Sequence, residues 1–159
     1  MTFVEKTTDH RKLRRWEGNI EADYYYTSGL AGEKFFVELK KTGRILATHC
    51  PRCDATYLPP RMYCEMCLAE LKDWKEVPAI GQVEAFTVAR LDEEGGPIAA
   101  PQVWAFVKFP GVRGGFIHRL SMSPHEAKTG IQVKPRLKPQ PLRTGEITDI
   151  EAFEPASDR

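Results

Sequence analysis

All four cysteines of the chain lie in one stretch, as Cys50-Pro-Arg-Cys53 and Cys64-Glu-Met-Cys67, with the ten residues Asp54 to Tyr63 between the pairs. Two residues between paired sulfurs let both thiolates of a pair reach one ion. The intervening segment can turn back as a hairpin and bring the second pair to the same point, so the pattern makes a tetrahedral four-thiolate metal site. Tetrahedral sulfur suits zinc and iron alike, and zinc is the expected occupant at one ion per chain. Four thiolates fill the coordination shell, leaving no open position for water or substrate, so the metal stabilises the fold and performs no chemistry. His49, beside Cys50, is then surplus to the site. A disulfide framework belongs to small secreted chains, and Met1 to His10 carry no apolar signal segment. A redox dithiol would appear as a single CxxC, not as two symmetric pairs.

No other motif promises catalysis. The sequence holds no GxSxG, HExxH, Walker loop or GxGxxG. Ser121, Ser123 and His125 are close in sequence, which does not make a triad, and they read as loop polarity. Gly111-Val-Arg-Gly114 has the spelling of a nucleic-acid clamp that joins two helices, but strand-like segments flank it here. The chain is therefore expected not to be an enzyme. Its 23 basic and 22 acidic residues give a net charge of +1, which supplies no global attraction for nucleic acid or an anionic membrane. Basic residues do cluster locally, at His10 to Arg15 and at Lys134, Arg136, Lys138 and Arg143. No apolar run approaches the roughly 18 residues that span a bilayer, and with every thiol in a metal pattern the expected location is the cytoplasm.

The elements that position the metal site fall on either side of it. Before it, residues 1–43 read as a terminal arm and a helical pair. Asn19 caps a helix carrying Tyr24, Tyr25 and Tyr26 that Gly29 ends, and a second helix runs from Glu33 to Thr42 with Gly43 as terminator. Successive helical residues are about 100° apart, so three consecutive tyrosines cannot share a face, and the excess suggests a partner surface. Residues 44–78 form the metal ribbon, with Arg44 to His49 as its first strand and Leu68 to Val77 leaving it. In residues 79–159 the apolar period changes to two, giving strands at Gly81–Leu91, Val103–Phe109, Gly115–Ser121, Ile131–Leu137 and Glu146–Phe153. Five short strands with Gly and Pro punctuation indicate a small closed barrel of the oligonucleotide/oligosaccharide-binding (OB) kind. The connection Asp92 to Gln102 is long for a hairpin and is expected to close over a ligand.

Phe35-Phe36 before Lys40-Lys-Thr-Gly43, Pro59-Pro-Arg61 ahead of the second CxxC, Gly81-Gln-Val, Gly111-Val-Arg and Gly130-Ile-x-Val-x-Pro135 together resemble one family. It is a zinc-ribbon plus OB-fold family of former unknown function, linked to acyl-CoA metabolism and to thiolase-type enzymes, and the similarity spans roughly Asp23 to Phe153. The chain departs from it at Asp54, where the family usually has Gly, although Asp tolerates left-handed backbone angles. The resemblance implies a rubredoxin-like zinc ribbon followed by a five-stranded OB barrel. It also implies a non-catalytic subunit that bridges or assists a thiolase or hydroxymethylglutaryl-CoA synthase type enzyme and helps hold its CoA thioester. On that reading Tyr24, Tyr25, Tyr26, Phe35 and Phe36 are the partner anchors. Trp104, Arg113, Phe116, His118, Arg119 and Lys134 are the ligand contacts, chosen for aromatic surface, polarity and nearby turns. The competing readings are a single-stranded nucleic-acid binder using Trp104, Phe116 and the Lys134 to Arg143 cluster, which the near-zero net charge disfavours, and a scaffold with no ligand.

Overall fold

Apolar residues recur every four positions at Ala31, Phe35 and Leu39, so the helix α1 (Gly29–Thr42) buries one stripe against the rest of the molecule. The computed structural model describes residues 8–12, 26–92 and 94–156. Lys40 and Lys41 sit in the last turn of α1, at the negative end of its dipole. Gly43 closes it in the left-handed conformation (φ 77°), its amide donating to the Leu39 carbonyl at 3.0 Å. Two expectations change here. The helix begins at Gly29 and not at Glu33, and Gly29, expected to end an earlier helix, opens this one. Residues 19–25 of that earlier helix, with Tyr24 and Tyr25, lie outside the described residues.

The metal ribbon follows. Strands β1 (Leu46–Cys50) and β2 (Ala55–Leu58) pair antiparallel from Thr48↔Tyr57 to Cys50↔Ala55, and β3 (Asp73–Glu76) pairs antiparallel with the other edge of β1. The segment expected to leave the ribbon therefore returns to it as a third strand. Val77 joins the core just beyond, its amide bonded to the Ile45 carbonyl at 2.9 Å.

Strands β4 (Gly81–Leu91) and β5 (Pro97–Lys108) make a long hairpin, and the two-residue strand β6 (Arg113–Gly114) pairs parallel with β2. With β7 (Phe116–Leu120), β8 (Gln132–Leu137) and β9 (Ile150–Pro155), the order β4-β5-β7-β9-β8 closes into a five-stranded barrel. Alternation sorts the side chains: Phe116, His118 and Leu120 of β7 point inward, and Ile117 and Arg119 point outward. The fifth strand begins at Ile150 and not Glu146, because a 3₁₀ turn (Ile147–Asp149) precedes it. The long connection expected from Asp92 to Gln102 is shorter than its sequence implies. The Asp92 carboxylate accepts from the amides of Glu94 and Gly96 at 3.0 and 2.7 Å, tightening the turn, and Pro97 to Gln102 continue as strand.

One cluster of buried side chains runs through all three regions: Phe35 and Leu39 from α1, Ile45, Ala47, Leu58 and Val77 from the ribbon, and Val83, Val107, Val133, Ile150 and Phe153 from the barrel. A second, smaller cluster of Cys50, Ala55, Tyr57, Cys64 and Leu71 surrounds the metal site. Among the described residues no helix is long and apolar enough to cross a membrane.

Candidate metal centre and barrel groove

The end of β1 delivers Cys50, the turn into β2 delivers Cys53, and the knuckle after β2 delivers Cys64 and Cys67. Their four Sγ atoms lie within 4.8 Å of one another, and Cys50 Sγ is 3.7 Å from Cys67 Sγ. A tetrahedron of ~2.3 Å zinc–sulfur bonds has S···S edges of about 3.8 Å, so the donor set fits one structural zinc. Each knuckle ends on a left-handed residue, Asp54 at φ 47° and Leu68 at φ 55°. The second is clamped by Leu68 N–H to Cys64 C=O and Cys64 N–H to Ala69 C=O, both at 2.9 Å.

The Tyr57 hydroxyl lies 3.3 Å from Cys64 Sγ. By donating to the thiolate it pulls the Cys64 thiol down to about 6, and the same contact pushes the tyrosine up to about 12. Cys53 moves the other way, pushed up to about 12, first by its contact with Cys67. A metal ion resolves this conflict by holding all four as thiolates. His49 is not among the ligands: its Nδ1 is 3.0 Å from Thr56 Oγ1.

The barrel provides a second site. β7 and β9 meet in register only at Leu120↔Phe153, and beside this opening lies a groove of about 600 Å³. Its apolar lining includes Trp104, Ile117, Ile147 and Ala152, and its cations are Arg119, Arg136 and Lys138. Arg136 is neutralised by Glu151 at 3.1 Å. Arg119 and Lys138 have no ion pair among the described residues. His118 lies at the groove's inner side with its ring 5.9 Å from that of Phe153, and its Nδ1 accepts from the Arg119 amide at 2.9 Å. Burial pushes the imidazole below its ordinary value, against an opposing backbone hydrogen bond with Ile147, so the ring is neutral at pH 7.

Of the six residues expected at a ligand, this groove gathers Trp104, His118 and Arg119. Phe116 is instead core, packed between Phe35, tilted at 5.9 Å, and Phe109, edge-on at 6.3 Å, because the alternation of β7 turns it inward. Arg113 sits at the ribbon, 3.1 Å from the Met66 sulfur, and Lys134 pairs with Glu154 at 3.5 Å outside the groove. Of the expected partner anchors, Phe35 is 3% exposed and packs in the core, Phe36 is half-buried against it, and Tyr26 is exposed. The sequence pointed to Arg136 and Lys138 only as members of a basic cluster. It gave no sign of Ile147 and Thr148 in the groove wall, or of Asp149 behind them. Asp149 is fully buried and accepts from the amides of Thr144 and Gly145 at 2.9 and 2.7 Å. Burial alone would raise this carboxyl, but those amides and that of Glu146 hold it below the usual carboxylate range.

Residues 37–72 match the ChsH2, rubredoxin-like zinc ribbon domain family. A solved structure of a protein of unknown function from the DUF35 family of Sulfolobus solfataricus superposes with a TM-score of 0.60 at 30% identity, over 67% of this chain and 78% of that one. The chain is a DUF35 protein. A second DUF35 structure, described as the Ltp2-ChsH2(DUF35) aldolase, matches with a TM-score of 0.57 at 22% identity, over 79% of this chain and 94% of that one, a likeness of fold. No curated protein matches the sequence. Within the DUF35 fold, the zinc ribbon and the OB barrel are the two parts observed here.

Proposed function

We propose that this DUF35 protein is a non-catalytic subunit of a thiolase-type acyl-CoA enzyme and that the groove between β7 and β9 receives the enzyme's CoA thioester. The observation that carries the reading is the groove's composition: an aromatic and aliphatic lining beside two cations, Arg119 and Lys138, that have no carboxylate partner among the described residues. Coenzyme A has matching parts, phosphates for the cations, an adenine able to stack on Trp104, and an extended arm for the apolar lining. The fold's likeness to ChsH2, named together with Ltp2 as one aldolase, supports a place beside a second chain. Exposed Tyr26 and half-buried Phe36 support a docking face on the α1 side. The four cysteines serve the fold, since a closed four-thiolate zinc has no site for substrate.

The test is a titration of the zinc-loaded chain with acetyl-CoA, followed by Trp fluorescence and thermal melting. Acetyl-CoA should quench Trp104 and raise the melting point, and Arg119→Ala and Lys138→Ala should each weaken binding by about five- to tenfold, the loss of one charge-assisted contact. A single-stranded oligonucleotide that binds instead, with affinity collapsing as salt rises, would establish the nucleic-acid reading.

A further inference from the structure

Among the described residues, the side of β4 away from β5 has no strand beyond its first residues. Pairing with β8 ends at Gln82, and Val83 makes the last outward backbone bonds, to Gly130 and Ile131 at 2.8 and 2.9 Å. From Glu84 to Arg90 no further outward backbone bond occurs among the described residues, and Ala85, Phe86, Thr87 and Arg90 are exposed. A bare edge of this kind presents a row of unpaired N–H and C=O groups, and natural proteins usually blunt it with lysine, proline or an inward charge. The segment Glu84-Ala-Phe-Thr-Val-Ala-Arg90 contains no lysine or proline. Its ladder to β5 is irregular only at its two ends, between Val83 and Ala85 and between Ala89 and Leu91, which leaves Ala85 to Ala89 as a regular template.

The sequence of this edge is complementary to itself. Laid antiparallel against a second copy with Thr87 opposite Thr87, it sets Glu84 opposite Arg90, Ala85 opposite Ala89 and Phe86 opposite Val88. Each charge then meets its opposite, and an aromatic meets a β-branched residue, the pairings that stabilise antiparallel strands. Moving the two-fold axis by one residue loses this: centred on Phe86, Glu84 faces Val88, and centred on Val88, Phe86 faces Arg90 while Glu84 faces Asp92. We propose that the outer edge of β4 is a homodimer interface, in which a second copy of this chain adds its own β4 antiparallel about Thr87. The pairing is isologous, so every contact is made twice across the axis. Glu84 is half-exposed beside Lys108 at 3.1 Å, which leaves its second side open to the incoming Arg90. The interface does not depend on the subunit reading above, because it requires only this chain.

Sedimentation equilibrium of the zinc-loaded full chain across a concentration series tests it. The expected result is association toward twice the 18.1 kDa chain mass. Glu84→Arg and Arg90→Glu each place like charges opposite one another on both sides of the axis and should weaken association about tenfold or more. Thr87→Lys, which sets two ammonium groups on the axis, should do the same. The combined E84R/R90E variant restores opposite charges and should restore the dimer, and Lys108→Ala should leave it intact, separating the interface from the contact within one chain. Zinc content and far-UV circular dichroism report that each variant is folded. A chain that stays at 18.1 kDa at every concentration overturns the proposal. So do folded single variants that dimerise like the parent, or a folded double variant that does not recover.

Discussion

Leu68 occupies a backbone conformation that a side chain with a Cβ resists, φ 55°, and it is 77% exposed, so little burial offsets the strain. The knuckle demands that turn, since Leu68 donates back to Cys64 while Cys64 donates to Ala69. Left-handed residues cost roughly 1–2 kcal/mol, and glycine gives part of that back in unfolded-state entropy. Leu68→Gly should therefore stabilise the zinc-loaded chain by about 0.5–1 kcal/mol in urea denaturation, whereas Asp54→Gly, at an Asp-tolerant position, should be close to neutral. Asp149 works at the same scale. Its carboxylate is held below the ordinary range, so it contributes stability above about pH 4, where the unfolded chain's carboxylate is ionised. That contribution is lost as pH falls through the folded value. Asp149→Asn puts an amide where three backbone N–H groups point and should cost about 2 kcal/mol at pH 7. Its stability should also fall less steeply on acidification than the parent's, read from melting points between pH 3 and 7.

At the scale of elements, the cysteine spacing and the alternation after Gly81 were enough to read the ribbon and all five barrel strands, because both are local patterns. What the sequence hid were contacts between distant segments. Phe35 and Phe116 looked like spare aromatics, yet they pack on each other in the core at 5.9 Å, and only the docking of α1 on the barrel brings them together. Pro97 and Pro101 suggested a loop, but the arm of β5 they occupy has no strand on its far side among the described residues, an edge position where proline is tolerated. The groove was half legible: Trp104, His118 and Arg119 share a local strand pattern, while Ile147 and Thr148 arrive through a turn that Asp149 organises. The junction of ribbon and barrel was invisible. It depends on β6 lying against β2, where a Cβ on Gly114 (φ 87°) would come within 2.1 Å of the Leu58 carbonyl oxygen. Gly114→Ala should therefore cost about 3 kcal/mol or more. It should also loosen zinc, measured as faster metal transfer to a chromogenic chelator.

At the scale of the molecule, the buried cluster crosses from α1 through the ribbon into the barrel, and Leu58, at the end of β2, belongs to it while Tyr57 beside it packs on the metal site. A structural zinc supplies on the order of 10 kcal/mol to small zinc modules, comparable with the total stability of a domain. Removing the metal, or replacing Cys64 by Ser, should thus lower the melting point of the barrel as well as the ribbon by about 10 °C or more, seen as one transition by near-UV circular dichroism. A barrel that melts unchanged would show that the shared core carries no coupling. On the proposed function, the β7–β9 groove of this zinc-supported barrel receives a CoA thioester. The melting point of the zinc-loaded chain with acetyl-CoA, for the parent and for the Arg119→Ala/Lys138→Ala double variant, tests this directly. Ligand at about 100 times its dissociation constant should add roughly 2.7 kcal/mol to the parent, and most of that gain should vanish in the double variant. An unchanged parent melting point at millimolar acetyl-CoA, or an equal rise in both proteins, would contradict it.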